Sequence, residues 1–257
     1  MRTIVYGNGK SRQKWNVNEK LDNVVTWGCN RIFNDAKVDN LVAVDYHVQH
    51  LIYESGYAHE NKCWFADWNK LPQYFHDSIR HMYEYTNIIE NKRGNRQNCV
   101  INGKLTKPNE GLFITWVDDD DMVEPIDYPR EWSSGTTAIH LACQQGATEI
   151  YMLGFDISDD PKDNVYEREQ SEYHSQTSNF SLRLDWTREL KTVFTEFKNV
   201  KFIWVEGDNL NRMIDTLQAG ELNAVINKSM IGHDRLIFDN DNLTYDTYEN
   251  IRRKICR

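Results

Sequence analysis

The sequence predicts an α/β protein: a Rossmann-like, doubly wound and mostly parallel sheet with a lid or insertion. Three observations predict it. Short apolar runs recur along the chain, and several end in Gly, Asn or Asp. Helical patterns stand between some of them, as crossovers between parallel strands require. The stretch Ser133 to Asp156, SSGTTAIHLACQQGATEIYMLGFD, then gives a helix and a strand with their punctuation. Ser133 or Ser134 can cap that helix, since a hydroxyl accepts from the orphan amides of a first turn. Ala138, Ile139, Ala142 and Cys143 form one apolar stripe at helical spacing, and Gly146 ends the helix where a left-handed residue is wanted. Ile150 to Leu153 reads as a buried strand with Gly154 and Asp156 at its carboxyl end.

The elements follow in order. Thr3 to Tyr6 is a strand, and the turn Gly7-Asn8-Gly9-Lys10-Ser11 leads into a weakly helical segment reaching Leu21. Val24 to Trp27 and Leu41 to Val44 are the next strands, closed by Gly28-Cys29-Asn30 and by Asp45. His47 to Tyr53 reads as a helix, Lys62 to Ala66 as a strand, and Leu71 to Tyr85 as a helix with Pro72 near its start. Gly94 to Asn109 reads as loop or hairpin, and Leu112 to Val117 as strand before the acidic run Asp118 to Asp121. Ser158 to Asn179 is long, polar and aperiodic, the character of a functional loop. Leu182 to Phe197 is the best amphipathic helix, with Leu182, Trp186, Leu190, Val193, Phe194 and Phe197 on one face. Lys201 to Val205 is a strand, and Asn209 to Leu217 reads as helix. The expected organisation is one α/β nucleotide-binding domain over 1–257, with an insertion at 62–128 and a C-terminal extension at 206–257.

Composition narrows the function. The 257 residues are 40% hydrophobic and 27% charged, ordinary for a globular protein. No apolar run reaches the roughly 18 residues of a membrane span, and the first strand begins too early for a signal peptide. Five cysteines, scattered without a CxxC pair, fit reduced thiols in a cytoplasm. A net charge of −9 argues against sequence-independent duplex binding. Lys92, Arg93 and Arg96, and at the tail Arg252, Arg253, Lys254 and Arg257, are the densest basic clusters; both read as solvated surface. Self-association is left open.

In open α/β sheets ligands bind beyond the carboxyl ends of strands, and helix N-termini attract phosphate. Gly7 and Gly9 allow close backbone approach, but the spacing is neither a Walker loop nor a complete dinucleotide fingerprint, because Arg12 stands near the place of a third Gly. A structural turn and a phosphate cradle are equally consistent with it. Asn30 can read a base or ribose, or stabilise its own turn. Asp45 can bind a ribose hydroxyl or a metal-bound phosphate, or face solvent. His174, in the polar loop, is the choice for a general base, since histidine titrates near neutral pH and loops bring such groups to strand-end clefts. His140 reads as structural. His47 and His50 lack a third ligand, so no metal site is expected there. Asp118 to Asp121 reads as an exposed turn, because neighbouring side chains in a strand alternate faces.

Together these motifs resemble the bacterial lipooligosaccharide sialyltransferases, glycosyltransferase family 42. The family's GNGPS turn is matched by Gly7-Asn8-Gly9-Lys10-Ser11, with Lys10 in place of Pro. Its Cys-Asn pair is matched by Cys29-Asn30, its Ser-Gly helix and Gly-x-Asp strand end by Ser134-Gly135 through Gly154-Phe155-Asp156, and its His-Ser pair by His174-Ser175. An Asn after the family's third strand is replaced near Asp45 to His47. The resemblance covers roughly residues 3 to 205. It implies a nucleotide-sugar-dependent transferase with His174 as general base and no metal or other cofactor. Tyr166 or Tyr173 would substitute for the tyrosines that assist the leaving phosphate. The nucleotide would be held by Gly7, Asn8, Gly9, Ser11, Asn30, Asp45, Ser134, Gly135, Thr136, Gly154 and Asp156. The partners implied are a nucleotide-sugar donor and an acceptor the sequence does not name. The archaeal-type 6-hydroxymethylpterin diphosphokinases share the outline; there ATP and magnesium would be used, with Asp45 and Asp156 holding the ion. A nucleotide-binding protein without turnover is the third reading.

Overall fold

The computed structural model describes residues 1–45, 48–49, 51–52, 55–66, 86–90, 97–101, 112–115, 122–126, 132–156, 164–166, 180–205 and 240–256. Its strands are β1 (Arg2–Tyr6), β2 (Val24–Cys29), β3 (Asn40–Ala43), β4 (Cys63–Phe65), β5 (Thr86–Glu90), β6 (Gln97–Ile101), β7 (Leu112–Thr115), β8 (Val123–Pro125), β9 (Glu149–Leu153), β10 (Lys201–Val205) and β11 (Leu243–Asp246). The longer helices are α1 (Ser134–Gln144), α2 (Phe180–Glu196) and α3 (Tyr248–Ile255). The chain divides into two compact units, Met1–Gly28 with Gly135–Arg257, and Cys29–Ser134.

In the first unit β1 pairs in parallel with β2 on one side and with β9 on the other. Outward from β9 come β10 and then β11, again parallel. The chain therefore leaves β1 in one direction and later resumes on its other side, which makes the sheet doubly wound, with its switch point between β1 and β9. The fold is α/β and parallel, as the sequence predicts. Ile4, Val5, Tyr6, Ile150, Met152 and Leu153 are fully buried, the continuous apolar pattern of strands covered on both faces.

Helix α1 is buried nearly all round, Thr136 to Ile139 and Leu141 to Cys143 being inside. It ends as predicted: Gly146 has φ +87°, its amide donates to the Cys143 carbonyl at 3.0 Å, and the Ala147 amide donates to Ala142 at 3.0 Å. That pair of bonds satisfies carbonyls a helix end would leave orphaned. Of the two serines expected at its start, Ser134 accepts at its hydroxyl from the Val44 amide at 3.1 Å. Helix α2 buries Leu190, Val193 and Phe194, and Phe194 packs on Phe202 of β10 with ring centroids 4.6 Å apart.

The tail is more ordered than its composition suggests. Thr247 caps α3, its hydroxyl accepting from the Asn250 amide at 3.2 Å. Tyr248, Ile251 and Ile255 are buried on one face. The tail's basic residues are not a free cluster: Arg252 pairs with Glu19 at 3.2 Å, Arg253 with Glu249, and Lys254 with Asp246 at 2.6 Å. The reason is a helix the sequence reading left out. It brings Asp246 and Glu249 within a turn or two of the cations and carries Arg252 to Glu19.

In the second unit β4 lies parallel between β3 and β8. Gln49, fully buried, donates from Nε2 to the carbonyls of Ala43 at 2.8 Å and Ala66 at 3.0 Å, which joins the ends of β3 and β4. The range 62–128 thus contains two parallel strands, β4 and β8, and between them in sequence an antiparallel set, β5–β6–β7. The expected helices at Leu71 to Tyr85 and Asn209 to Leu217, the basic Lys92, Arg93 and Arg96, and the acidic run Asp118 to Asp121 lie outside the described residues.

Candidate functional site

The strand ends at the switch point are closed on each other. The Gly7 amide donates to the Leu153 carbonyl at 2.7 Å and the Gly9 amide to the Gly154 carbonyl at 2.8 Å, so pairing continues past β1 and β9. A side chain at Gly7 would fall on the Gly154 carbonyl, and one at Gly9 would fall on the Asp156 carboxylate and lie 2.6 Å from the same carbonyl. Gly154 itself has φ +72°, in the region that favours glycine. The glycines are therefore required by the contact between two turns, whatever else they bind.

After Gly9 the chain makes a short 3-10 turn, Lys10–Lys14. Its first amides need an acceptor, and Asp156 Oδ2 supplies one, accepting from the Ser11 amide at 2.7 Å. A charged acceptor on a backbone amide is among the stronger hydrogen bonds. Asp156 thus clamps the glycine turn from the neighbouring strand end. The Ser11 hydroxyl is buried and has no hydrogen-bond partner among the described residues.

Residues 164–166 lie against the same turn. Asn164 bridges Gly9, the Val165 amide donates to the Asn8 carbonyl at 2.8 Å, and the Asn164 side chain accepts from the Tyr166 amide at 2.9 Å. Arg12, 2% exposed, joins the pieces. Its Nη1 donates to the Gly7 carbonyl at 3.1 Å and to Asn8 Oδ1 at 3.2 Å, and its Nη2 to the Tyr166 hydroxyl at 3.0 Å. The guanidinium also stands 5.4 Å from the centre of the Tyr166 ring, within cation–π range. Beneath the turn, burial pushes the Tyr6 phenol well above its usual value and keeps it protonated.

Of the residues singled out in sequence, the first unit brings together Gly7, Asn8, Gly9, Ser11, Gly154, Asp156 and Tyr166. Gly135 and Thr136 belong to the same unit, on the first turn of α1, and Thr136 is 2% exposed. Asn30, Asp45 and Ser134 belong to the second unit. Asn30 has φ +52° and starts a 3-10 turn, Asn30–Asn34. Asp45 is exposed, and its carbonyl accepts from the Gln49 amide at 3.0 Å. Tyr173 and His174, and with them His47 and His50, lie outside the described residues. His140 stacks edge-on against Phe197 and meets Glu196 at 3.3 Å. No group of three or more His, Cys, Asp or Glu that could hold a metal ion occurs among the described residues. Arg12 and Asn164 are the site residues sequence reasoning missed. Arg12 was noticed only as the residue standing where a third glycine would be, and no spacing announces its contacts.

The sequence matches no protein-family model, and no curated protein is significantly similar to it. Two solved structures share part of its outline. One is the sialyltransferase CST-II in complex with a trisaccharide acceptor and CMP, 12% identical, with 79% of this chain and 80% of that chain covered and a TM-score of 0.41. The other is the sialyltransferase CstII from Campylobacter jejuni in complex with a substrate analogue, cytidine-5'-monophosphate, 13% identical, with 79% of each chain covered and a TM-score of 0.40. A likeness at this level carries no argument about chemistry. No helix among the described residues is long and apolar enough to cross a membrane.

Proposed function

We propose that the chain is a nucleotide-sugar-dependent glycosyltransferase of sialyltransferase-like type. One observation carries the reading: a glycine turn after β1, held by the Gly-x-Asp end of β9, stands at the switch point of a doubly wound sheet. That is where such sheets receive ligands, and the residues are those through which the sequence resembles the sialyltransferase family. In this reading Gly7, Asn8 and Gly9 face the donor nucleotide, and Gly135 and Thr136 offer first-turn amides to its phosphate. His174 removes the proton of an acceptor hydroxyl as that oxygen attacks the anomeric carbon, and the nucleotide phosphate leaves with the electron pair of the broken bond. Tyr173 or Tyr166 donates a hydrogen bond to the departing phosphate, which a metal would otherwise stabilise. The buried, reduced thiols of Cys29, Cys63 and Cys143 suit the cytoplasmic setting that belongs to the same reading.

Thermal-shift measurements with CMP, UDP, ADP and their sugars, with and without magnesium, test it. Stabilisation by a cytidine or uridine nucleotide in the absence of metal is the expected result. Stabilisation by ATP only with magnesium would replace the reading by a diphosphokinase. A protein that answers to no nucleotide is not a transferase of either kind. Binding without product formation from any donor sugar would leave a ligand-sequestering protein.

A further inference from the structure

We infer that Arg12 is a positioning residue, which holds the Asn8 side chain with its NH2 group turned away from the guanidinium. The turn after β1 thereby presents a hydrogen-bond donor to its ligand. The inference deepens the proposed function and rests on it for the identity of that ligand.

The orientation follows from chemistry. An asparagine amide has one accepting and one donating end, while a guanidinium carries donors only. Whichever atom of Asn8 faces Arg12 Nη1 at 3.2 Å must therefore be the oxygen. The two Nδ2–H groups are left at the other end of the amide, and they have no partner among the described residues. Arg12 has little freedom to release that oxygen. It is 2% exposed, the same Nη1 holds the Gly7 carbonyl at 3.1 Å, and Nη2 holds the Tyr166 hydroxyl at 3.0 Å. Its stem runs close over the facing turn, since a side-chain carbon built on Gly154 would lie 2.9 Å from Arg12 Cβ. The Asn8 backbone is held independently, its carbonyl accepting from the Val165 amide at 2.8 Å. Both ends of Asn8 are thus set before any ligand arrives, so little ordering remains to be done on binding.

A half-buried N–H donor with no acceptor of its own calls for one on the ligand. In a nucleotide that group is the phosphate, whereas the base and ribose carry donors as well as acceptors. A lysine at position 12 would keep the charge, but a single ammonium could not reach the Gly7 carbonyl, Asn8 and Tyr166 in one plane.

Calorimetry with CMP and with cytidine as probes, on the full chain, tests the idea. Asn8→Asp is the informative variant. A carboxylate still accepts from Arg12, so the turn and the melting temperature are retained, but an oxygen replaces the outward NH2. CMP should bind roughly 10- to 100-fold more weakly, the range for losing one charge-assisted hydrogen bond, while cytidine binding changes little. Arg12→Lys should weaken CMP in the same direction. Unchanged CMP affinity in Asn8→Asp would overturn the inference and leave the proposed function standing. Should the wild-type protein bind no nucleotide, the proposed function fails, and NMR of the ligand-free protein labelled at asparagine still decides the positioning role. Asn8 amide protons remote from the Arg12 side chain in the wild type, and loss of that fixed orientation in Arg12→Lys, uphold it. Amide protons close to the guanidinium refute it.

Discussion

The short turn Lys10–Lys14 is held from two sides by opposite means. Toward β9 it is held by absence: Gly7, Gly9 and Gly154 have no side chains, and two backbones meet where a methyl group would collide. Toward α3 it is held by bulk. Trp15, just after the turn, lies 6.0 Å from Tyr248 between ring centres, with the Arg252 guanidinium 5.2 Å from its own ring. Around that aromatic contact the Asp22 amide donates to Ile255 at 2.9 Å, and Leu21 bridges Cys256. The first contact is backbone against backbone and cannot adjust. The second is made of separable side chains, and its parts differ widely in what they contribute.

The contrast can be broken most forcefully at Tyr248. It is 5% exposed, and removing a buried aromatic ring costs about 3–5 kcal/mol. Tyr248→Ala should lower the free energy of unfolding by that amount in equilibrium denaturation; a loss under about 1 kcal/mol would mean that α3 is not a support. Next comes Gly7→Ala, where one methyl should cost about 2–3 kcal/mol because backbone must move to admit it. Tolerance of alanine there, with nucleotide response intact, would show that the two turns can separate.

Asp246 gives a smaller, pH-dependent effect. Its burial pushes the carboxyl up, but hydrogen bonds from Lys254, Asn250 and the Thr247 amide outweigh this and hold it below its usual range. A lowered carboxyl stabilises the fold above its unfolded value of about 3.9 and loses that contribution as pH falls through the folded value. Wild type should therefore lose its advantage over Asp246→Asn on acidification through that window, and an advantage that stays constant with pH would deny the carboxylate its role. The smallest effect is expected at Arg253, whose pair with Glu249 is exposed on both sides. Arg253→Ala should change stability by less than about 0.5 kcal/mol, and less still in high salt; a larger loss would show the ion pair to be worth as much as the ring.

The sequence was legible where one residue type serves one purpose. Continuous apolar runs announced β1 and β9, and Gly146 announced the end of α1. At the candidate site, the approach of Gly7 and Gly9 to something was legible but not its object, because a glycine states only that space is short. Asp156 was read as a ligand for nucleotide, and its carboxylate accepts from the Ser11 amide. Either use asks for the same carboxylate at a strand end. The α3 helix went unread although Thr247, Glu249 and the spacing of Tyr248, Ile251 and Ile255 mark it. Its polar majority hid a three-residue apolar face. Arg12 was illegible for a different reason, since its contacts join the adjacent turn at Gly7 and Asn8 to Tyr166, far along the chain.

The discontinuity of the first unit sets an order of events during synthesis. Residues 29–134, the second unit, are made between β1 and the strand that completes β1's other side. The Met1 ammonium, which donates to the Thr148 hydroxyl at 2.7 Å, waits for a partner 147 residues away. Loop closure over such a distance is entropically costly and slow, while the second unit can collapse on its own contacts as it emerges. β1 therefore keeps one edge unpaired until β9 has emerged, and α3, made later than both, packs on Trp15 just after the turn that follows β1.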